Sequence, residues 1–360
     1  MPVAGRVVLC RAGFEREAAG ELAACAGAAG VAGFARAEPG SGLAGFELHD
    51  AGDRRALHNA TGWSGLVFAR TVWDLHGRVQ ELPTRDRVTP LVEALRALPL
   101  RFADLRLESA DSPAGRRLAG LARTLDRPLR TALDRAGVLD TGATAILHVL
   151  LTAGDAAWLC AAAPASSSPW PGGIPRLRFP SSAPSRSTLK LEEAFLVLMD
   201  EGERARWLGP GLSAVDLGAA PGGWTWQLVR HSIRVTAVDN GPMQPALLDS
   251  GLVKHLRADG FRYRPARPVD WLVCDMVEQP RRVAALVAGW LAAGRCRRAL
   301  FNLKLPMKKR REEVTLCLEL LRRSVPGITL RARQLYHDRE EITVLALPRA
   351  PRAQSPRALR

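Results

Sequence analysis

Residues 214–228, AVDLGAAPGGWTWQL, read as a buried strand that runs into a glycine-rich turn and then a helix. Ala214 to Leu217 is a short apolar run with Asp216 inside it. Gly218, Gly222 and Gly223 free the backbone for a tight turn and a close approach to a ligand, and helical spacing resumes at Trp224. That order of elements is where a parallel α/β sheet binds a nucleotide. The spacing is D-x-G-x-x-P-G-G, so no G-x-G-x-x-G dinucleotide fingerprint can be drawn, and Pro221 stands where a pyrophosphate cradle needs a free N–H. S-adenosylmethionine fits the turn better, because it carries no phosphate. Its ribose hydroxyls call for an acid at the end of the next strand, and Asp239 in VTAVD lies 23 residues after Asp216, near the roughly 20 expected.

Outward from that turn, helix and strand alternate: a helix over 189–200, strands at 214, 234–239 and near Val253, a strand over 271–275, and a helix over 281–293. A strand over 299–304, a helix over 312–323 and strands over 327–336 and 342–347 complete the set. Such alternation specifies a mostly parallel sheet covered on both faces. Ligands in such sheets bind beyond the carboxyl ends of the strands, which selects Asp239, Asp259 in ADG, Asp275 in WLVCD and Lys304 in FNLK. Each alone is weak, since strand-terminal Asp is common as a helix cap. On one rim, after this turn, they form a set. Asp259 is placed to accept from an adenine amino group.

The stretch 163–187 is rich in Pro, Ser and Gly and reads as a linker. Before it, residues 1–70 read as a small α+β unit and a second unit begins near Thr71. The second contains a basic helix in which Leu118, Leu121, Leu125, Leu129 and Leu133 recur at helical spacing, with Pro128 expected to break the run. Alternating strands flank Ala153-Gly154-Asp155 as a hairpin. Residues 349–360 read as a basic low-complexity tail.

Lys plus Arg outnumber Asp plus Glu by 51 to 36, a formal charge of +15, which suits a polyanionic partner, and nucleic acid is the natural one. The six cysteines show no C-x-x-C pair and no histidine at zinc-ligand spacing, so no metal site is expected and the thiols read as reduced, in a cytosolic protein. No apolar run is long enough for a signal peptide or a membrane span. Amino-group methylation of a base calls for Asn or Asp before Pro-Pro-aromatic, whereas here Asp275 is followed by Met276 and Val277. Cys274 follows Val273 within a strand and reads as a core thiol, not as the nucleophile of pyrimidine C5 methylation.

The runs VVLCRAGFE, GFAR, IPRLRFP, SRSTLKLEEAF, VDLGAAPGGW, AVDNGPM, WLVCDMVE, FNLKLPMKKR and RQLYHDREE together resemble the RlmM family, over nearly the whole chain. Its members are S-adenosylmethionine-dependent ribose 2′-O-methyltransferases acting on a cytidine of large-subunit (23S) ribosomal RNA. The resemblance implies an α/β fold: a Rossmann-like methyltransferase domain over 188–348, a ferredoxin-like unit over 1–70, a THUMP-like RNA-binding domain over 71–165 and a linker over 166–187. The C-terminal half also resembles the wider heat-shock ribose methyltransferases, whose Lys-Asp-Lys-Glu tetrad falls on Lys190, Asp275, Lys304 and an acid taken as Glu341, with Glu340 the alternative. The implied cofactor residues are Ser187, Asp216, Gly218, Ala220, Pro221, Gly222, Gly223, Trp224, Asp239, Asp259 and Asp275. The family often has Cys where this chain has Ala220.

The tetrad has a physical rationale beside the resemblance. A ribose 2′-hydroxyl must lose its proton as it attacks, so a base is required. Lys304 serves if it is neutral part of the time near a second cation, Lys190, with Asp275 and Glu341 orienting the amines. The implied partner is 23S ribosomal RNA or a large-subunit precursor, without metal or membrane, and with a monomer as the working expectation. Two rivals stay open: methylation of an RNA base, and a non-catalytic RNA-binding or assembly factor that retains the cofactor pocket.

Overall fold

The computed structural model describes residues 4–348 and falls into two compact units that divide between Arg176 and Leu177. The expected tail at 349–360 lies outside the described residues.

The N-terminal unit starts with β1 (Gly5–Cys10), α1 (Glu15–Ala28), β2 (Gly33–Glu38), β3 (Leu43–Leu48), α2 (Arg54–Ala60) and β4 (Ala69–Val79). The sheet order β2-β3-β1-β4, all antiparallel, makes this a ferredoxin-like unit. It does not close there. β4 also pairs with β7 (Ala156–Ala162), so the sheet runs on through α3 (Val88–Arg96), β5 (Asp104–Ser109), α4 (Pro113–Arg135) and β6 (Ile146–Ala153) to seven strands. The boundary expected near Thr71 therefore falls inside a strand shared by both halves of one sheet. Ala153 faces Ala156 in the register, with Gly154 and Asp155 as the turn of the hairpin.

Pro128 does not break α4, contrary to the sequence expectation. The helix starts at Ser112, whose Oγ accepts from Gly115 N at 3.0 Å, and continues through the proline to Arg135. A helix-interior proline costs about 3 kcal/mol. Leu125, Leu129 and Leu133 are all buried against the sheet, at about 2 kcal/mol each, and outweigh it. Two 3-10 turns are the regular structure in the linker, which is nonetheless fastened: Gly172 N donates to Glu108 Oε1 at 2.5 Å and Ser168 N to Thr71 Oγ1 at 3.3 Å.

The C-terminal unit comprises α5 (Thr188–Leu198), α6 (Glu201–Trp207), β8 (Ser213–Leu217), α7 (Gly223–Arg230), β9 (Arg234–Val238), α8 (Pro245–Leu248), β10 (Val253–Leu256) and β11 (Val269–Cys274). After these come α9 (Pro280–Ala292), β12 (Cys296–Lys304), α10 (Arg310–Ser324), β13 (Thr329–Arg333) and β14 (Glu341–Leu347). Its sheet order is β10-β9-β8-β11-β12-β14-β13, parallel except for β14. This is a Rossmann-like methyltransferase sheet, with Trp271, Val273, Leu300 and Leu345 in its core. Helix α6 is an addition to the sequence reading. Asp200 and Glu203 cap it reciprocally, side chain to backbone at 2.7 and 3.0 Å, a capping box written as D-x-x-E.

Candidate active site

Five parallel strands deliver their carboxyl ends to one rim, and a cavity of about 420 Å³ opens there. Gly218, Ala220, Asp239, Asp259 and Asp275 line it, so strands β8, β9, β10 and β11 each contribute through the loop that follows. Asp239 is held rigidly, one carboxylate oxygen accepting from Ala220 N at 3.0 Å and the other from Gly241 N at 2.7 Å. That bond ties the glycine turn to the end of β9. Asp259 Oδ1 accepts from Phe261 N at 2.8 Å, and its Oδ2 lies 3.5 Å from Arg262 Nε, an exposed pair at the cavity's edge.

The turn is glycine for reasons of space. Gly218 has φ +78°, and a Cβ there would sit 2.6 Å from Met276 Cγ; Gly223 would meet Ser187 Oγ at 2.1 Å. Ser187, Pro221, Gly222, Gly223 and Trp224 do not line the cavity. Trp224 lies in the core with 2% exposure, and Ser187 packs behind the turn with its Oγ 2.7 Å from Ser185 Oγ. Asp216 is buried as well, accepting from Thr225 Oγ1 at 2.6 Å; burial pushes its carboxyl up to about 7. These residues shape the turn from behind.

Beside the cavity four charges form a closed ring. Asp275 Oδ1 accepts from Lys304 Nζ at 2.7 Å and Oδ2 from Lys190 Nζ at 3.3 Å. Glu341 meets the same two amines, one with each oxygen. The geometry follows from topology: β14 is antiparallel to β12, so its first residue, Glu341, is in register with the last residue of β12, Lys304. Lys190 arrives from the first turn of α5. Glu340 points the other way, pairs with Arg310 at 2.7 Å and is 60% exposed, which assigns the acid of the ring to Glu341. Glu193, one turn beyond Lys190, accepts from Tyr336 N at 2.8 Å, His337 N at 2.9 Å and His337 Nδ1 at 2.6 Å, and so holds the loop that leads to Glu341.

Lys304 differs from the sequence expectation in charge. Desolvation alone would depress it, but Asp275 and then Glu341 outweigh that and hold the ammonium above its ordinary range. Each carboxylate touches both amines, so the second cation does not free the first. Sequence reasoning also missed Asn302, Thr343 and Asp338, all fully buried behind the ring. A polar residue at the centre of an apolar strand, as in LFNLK and EITVLAL, is the signal that marks Asn302 and Thr343; Asp338 lies in the loop before β14 and carries no such signal. Cys274, raised to about 12 by burial, is no nucleophile. Among the described residues no group of three His, Cys, Asp or Glu is arranged to hold a metal ion, and no helix is long and apolar enough to cross a membrane.

Residues 3–73 match the RlmM ferredoxin-like domain, 86–162 the N-terminal region of ribosomal RNA large subunit methyltransferase M, and 183–326 the FtsJ-like methyltransferase domain. The protein named ribosomal RNA large subunit methyltransferase M from Thauera aminoaromatica is 51% identical over 345 residues, covering 94% of this chain and 95% of its own. This chain belongs to that family. Proteins of the same name from Methylococcus capsulatus and Aromatoleum aromaticum are 53% and 51% identical, over 94% and 95% of this chain and 96% and 95% of theirs. The chain is therefore an enzyme of the methyltransferase class; Lys190, Asp275 and Lys304 lie within the FtsJ-like match, and Glu341 lies beyond its end.

Proposed function

We propose that this protein transfers the methyl group of S-adenosylmethionine to the 2′-oxygen of a cytidine ribose in large-subunit ribosomal RNA. The observation that carries this reading is the ring of Lys190, Asp275, Lys304 and Glu341 at the wall of an acid-lined cavity. The cavity is of ligand size and suits the cofactor, with Asp239 set for its ribose hydroxyls and Asp259 for its adenine amino group. When bound, S-adenosylmethionine supplies the electrophilic methyl.

Lys304 Nζ receives the 2′-hydroxyl proton as the new O–C bond forms. Its neutral form is the minority at neutral pH, so the ring sets the rate through the population of free amine. Asp275 and Glu341 fix Nζ in place and Lys190 balances their charge. A basic run, Lys308 to Arg311, follows Lys304 after three residues and is placed to hold RNA phosphates. Met307 and Val277, each 90% exposed, follow Lys304 and Asp275 on neighbouring loops and offer apolar surface to the target nucleobase. The N-terminal unit, including the THUMP-like region at 71–165, positions the RNA.

Ribose methylation mapped across the large-subunit RNA of a strain lacking the protein tests this. One cytidine loses its 2′-O-methyl group and regains it when the gene is returned. An unchanged map supports the assembly-factor reading, and a lost base methylation the base-methyltransferase reading.

A further inference from the structure

Two alternate rungs of the β12/β14 ladder, separated by Leu303 opposite Ile342, point the same way: Lys304 opposite Glu341, and Asn302 opposite Thr343. The outer rung belongs to the ring. The inner one is fully buried, and behind it, in the loop between β13 and β14, lies Asp338, also fully buried.

The donors in this group can be assigned from chemistry. Asp275 Oδ1 already accepts from Lys304 Nζ, and Asn302 Nδ2 lies 3.0 Å from the same oxygen. The amide must present its NH2 there, because the opposite orientation would set two acceptors face to face. Asn302 Oδ1 then faces Thr343 Oγ1 at 2.8 Å and takes the single hydrogen of that hydroxyl. Thr343 Oγ1 is also 3.0 and 3.2 Å from the two oxygens of Asp338. With its hydrogen committed to Asn302, it can only accept from Asp338.

We propose that Asp338 carries a proton and heads a donor chain, Asp338 to Thr343 to Asn302 to Asp275, which positions Asp275 between the two lysines. Leu335 N donates to Asp338 Oδ2 at 3.0 Å, so the hydrogen belongs on Oδ1, facing Thr343. The surroundings favour the acid form: burial first, then the charges of Glu341 and Glu193, raise Asp338 well above the carboxylate range, against the Leu335 N–H and Lys190. An ionised Asp338 would draw the Thr343 hydrogen to itself and set Asn302 Oδ1 against a lone pair. The amide would then be free to turn, and Asp275 would lose a donor. Asp338 is thus a positioning residue that acts on the ring through two others. The inference deepens the reading of the ring as the methyl-transfer site and rests on it.

The test is single-turnover methyl transfer to large-subunit RNA by full-length variants, with cofactor affinity measured in parallel. Asp338→Asn retains a donor toward Thr343 and an acceptor for Leu335 N, so its rate stays within about twofold of wild type. Thr343→Val breaks the chain and slows transfer about tenfold with cofactor affinity unchanged, and Thr343→Ser restores the rate. Asp338→Asn as slow as Thr343→Val, or Thr343→Val at the wild-type rate, overturns the proposal. Should these variants not fold, the infrared spectrum of the wild-type protein decides. At about pH 9, above the range in which Asp216 titrates near 7, one protonated carboxyl band persists. Its absence overturns the proposal too. Transfer to a base atom would sink the ribose reading yet leave that band in place, so the two failures are distinguishable.

Discussion

In the N-terminal sheet β4 runs antiparallel to both its neighbours, whereas in the C-terminal sheet β8 to β12 run parallel and only β14 opposes them. Each sheet has seven strands and buried ion pairs. In the first, Arg6 is 1% exposed and bonds Asp74 at 2.7 Å and Thr61 Oγ1 at 3.0 Å within the sheet's helix-covered side. In the second, four charges meet on a rim beside a cavity. Parallel strands send all their carboxyl ends to one side and so collect polar residues from distant parts of the chain; antiparallel strands divide them between two ends. The same residue types therefore hold a fold in one unit and gather at the candidate site in the other.

The largest effect that would sharpen this contrast comes from the ring. Lys304→Ala lowers the transfer rate about a hundredfold or more while cofactor affinity, read by titration calorimetry, stays the same. Lys304→Arg fails as well, because a guanidinium keeps its proton. The pH dependence has a definite sign. Lys304 is held above its ordinary range, and if the proposed neutral amine is the active form the wild-type rate rises roughly tenfold per pH unit through the neutral and mildly alkaline range. A flat profile would remove the base role from Lys304.

The corresponding change in the other sheet acts on stability alone. Arg6→Met leaves Asp74 bonded to His58 without its arginine and costs about 3 kcal/mol, read as a lower melting temperature, while the rate per folded molecule is unchanged. A large fall in that rate would break the comparison. The smallest effect is expected at the rim: Met307→Ser raises KM for RNA roughly threefold without altering the rate at saturation.

How much of this was legible in the sequence follows the same division. The glycine turn, Asp239, Asp275 and Lys304 could be found because the end of a strand is a local property, visible from apolar runs. Choosing Glu341 over Glu340 needed the β12/β14 register, which is a long-range pairing that no local pattern encodes. Asn302 and Thr343 escaped because they meet across the β12/β14 pairing, and Asp338 because its burial in the loop before β14 is set by tertiary packing. Pro128 misled because the local cost of a proline was visible and the burial of Leu129 and Leu133 was not. The continuation of the N-terminal sheet through β4 was hidden for a like reason, since its two edges pair with β1, which begins at Gly5, and β7, which begins at Ala156. Trp224 and Asp216 were read as cofactor residues by their place in the motif, although the fold turns both inward.

The central claim is that the ring acts on a ribose hydroxyl, and RNA with a single 2′-deoxy substitution at the modified cytidine tests it directly. The account predicts that the wild-type enzyme binds this RNA and transfers no methyl group to it. Transfer at a rate near that of the unsubstituted RNA would make a base atom the acceptor and contradict the account, even with Lys304 essential.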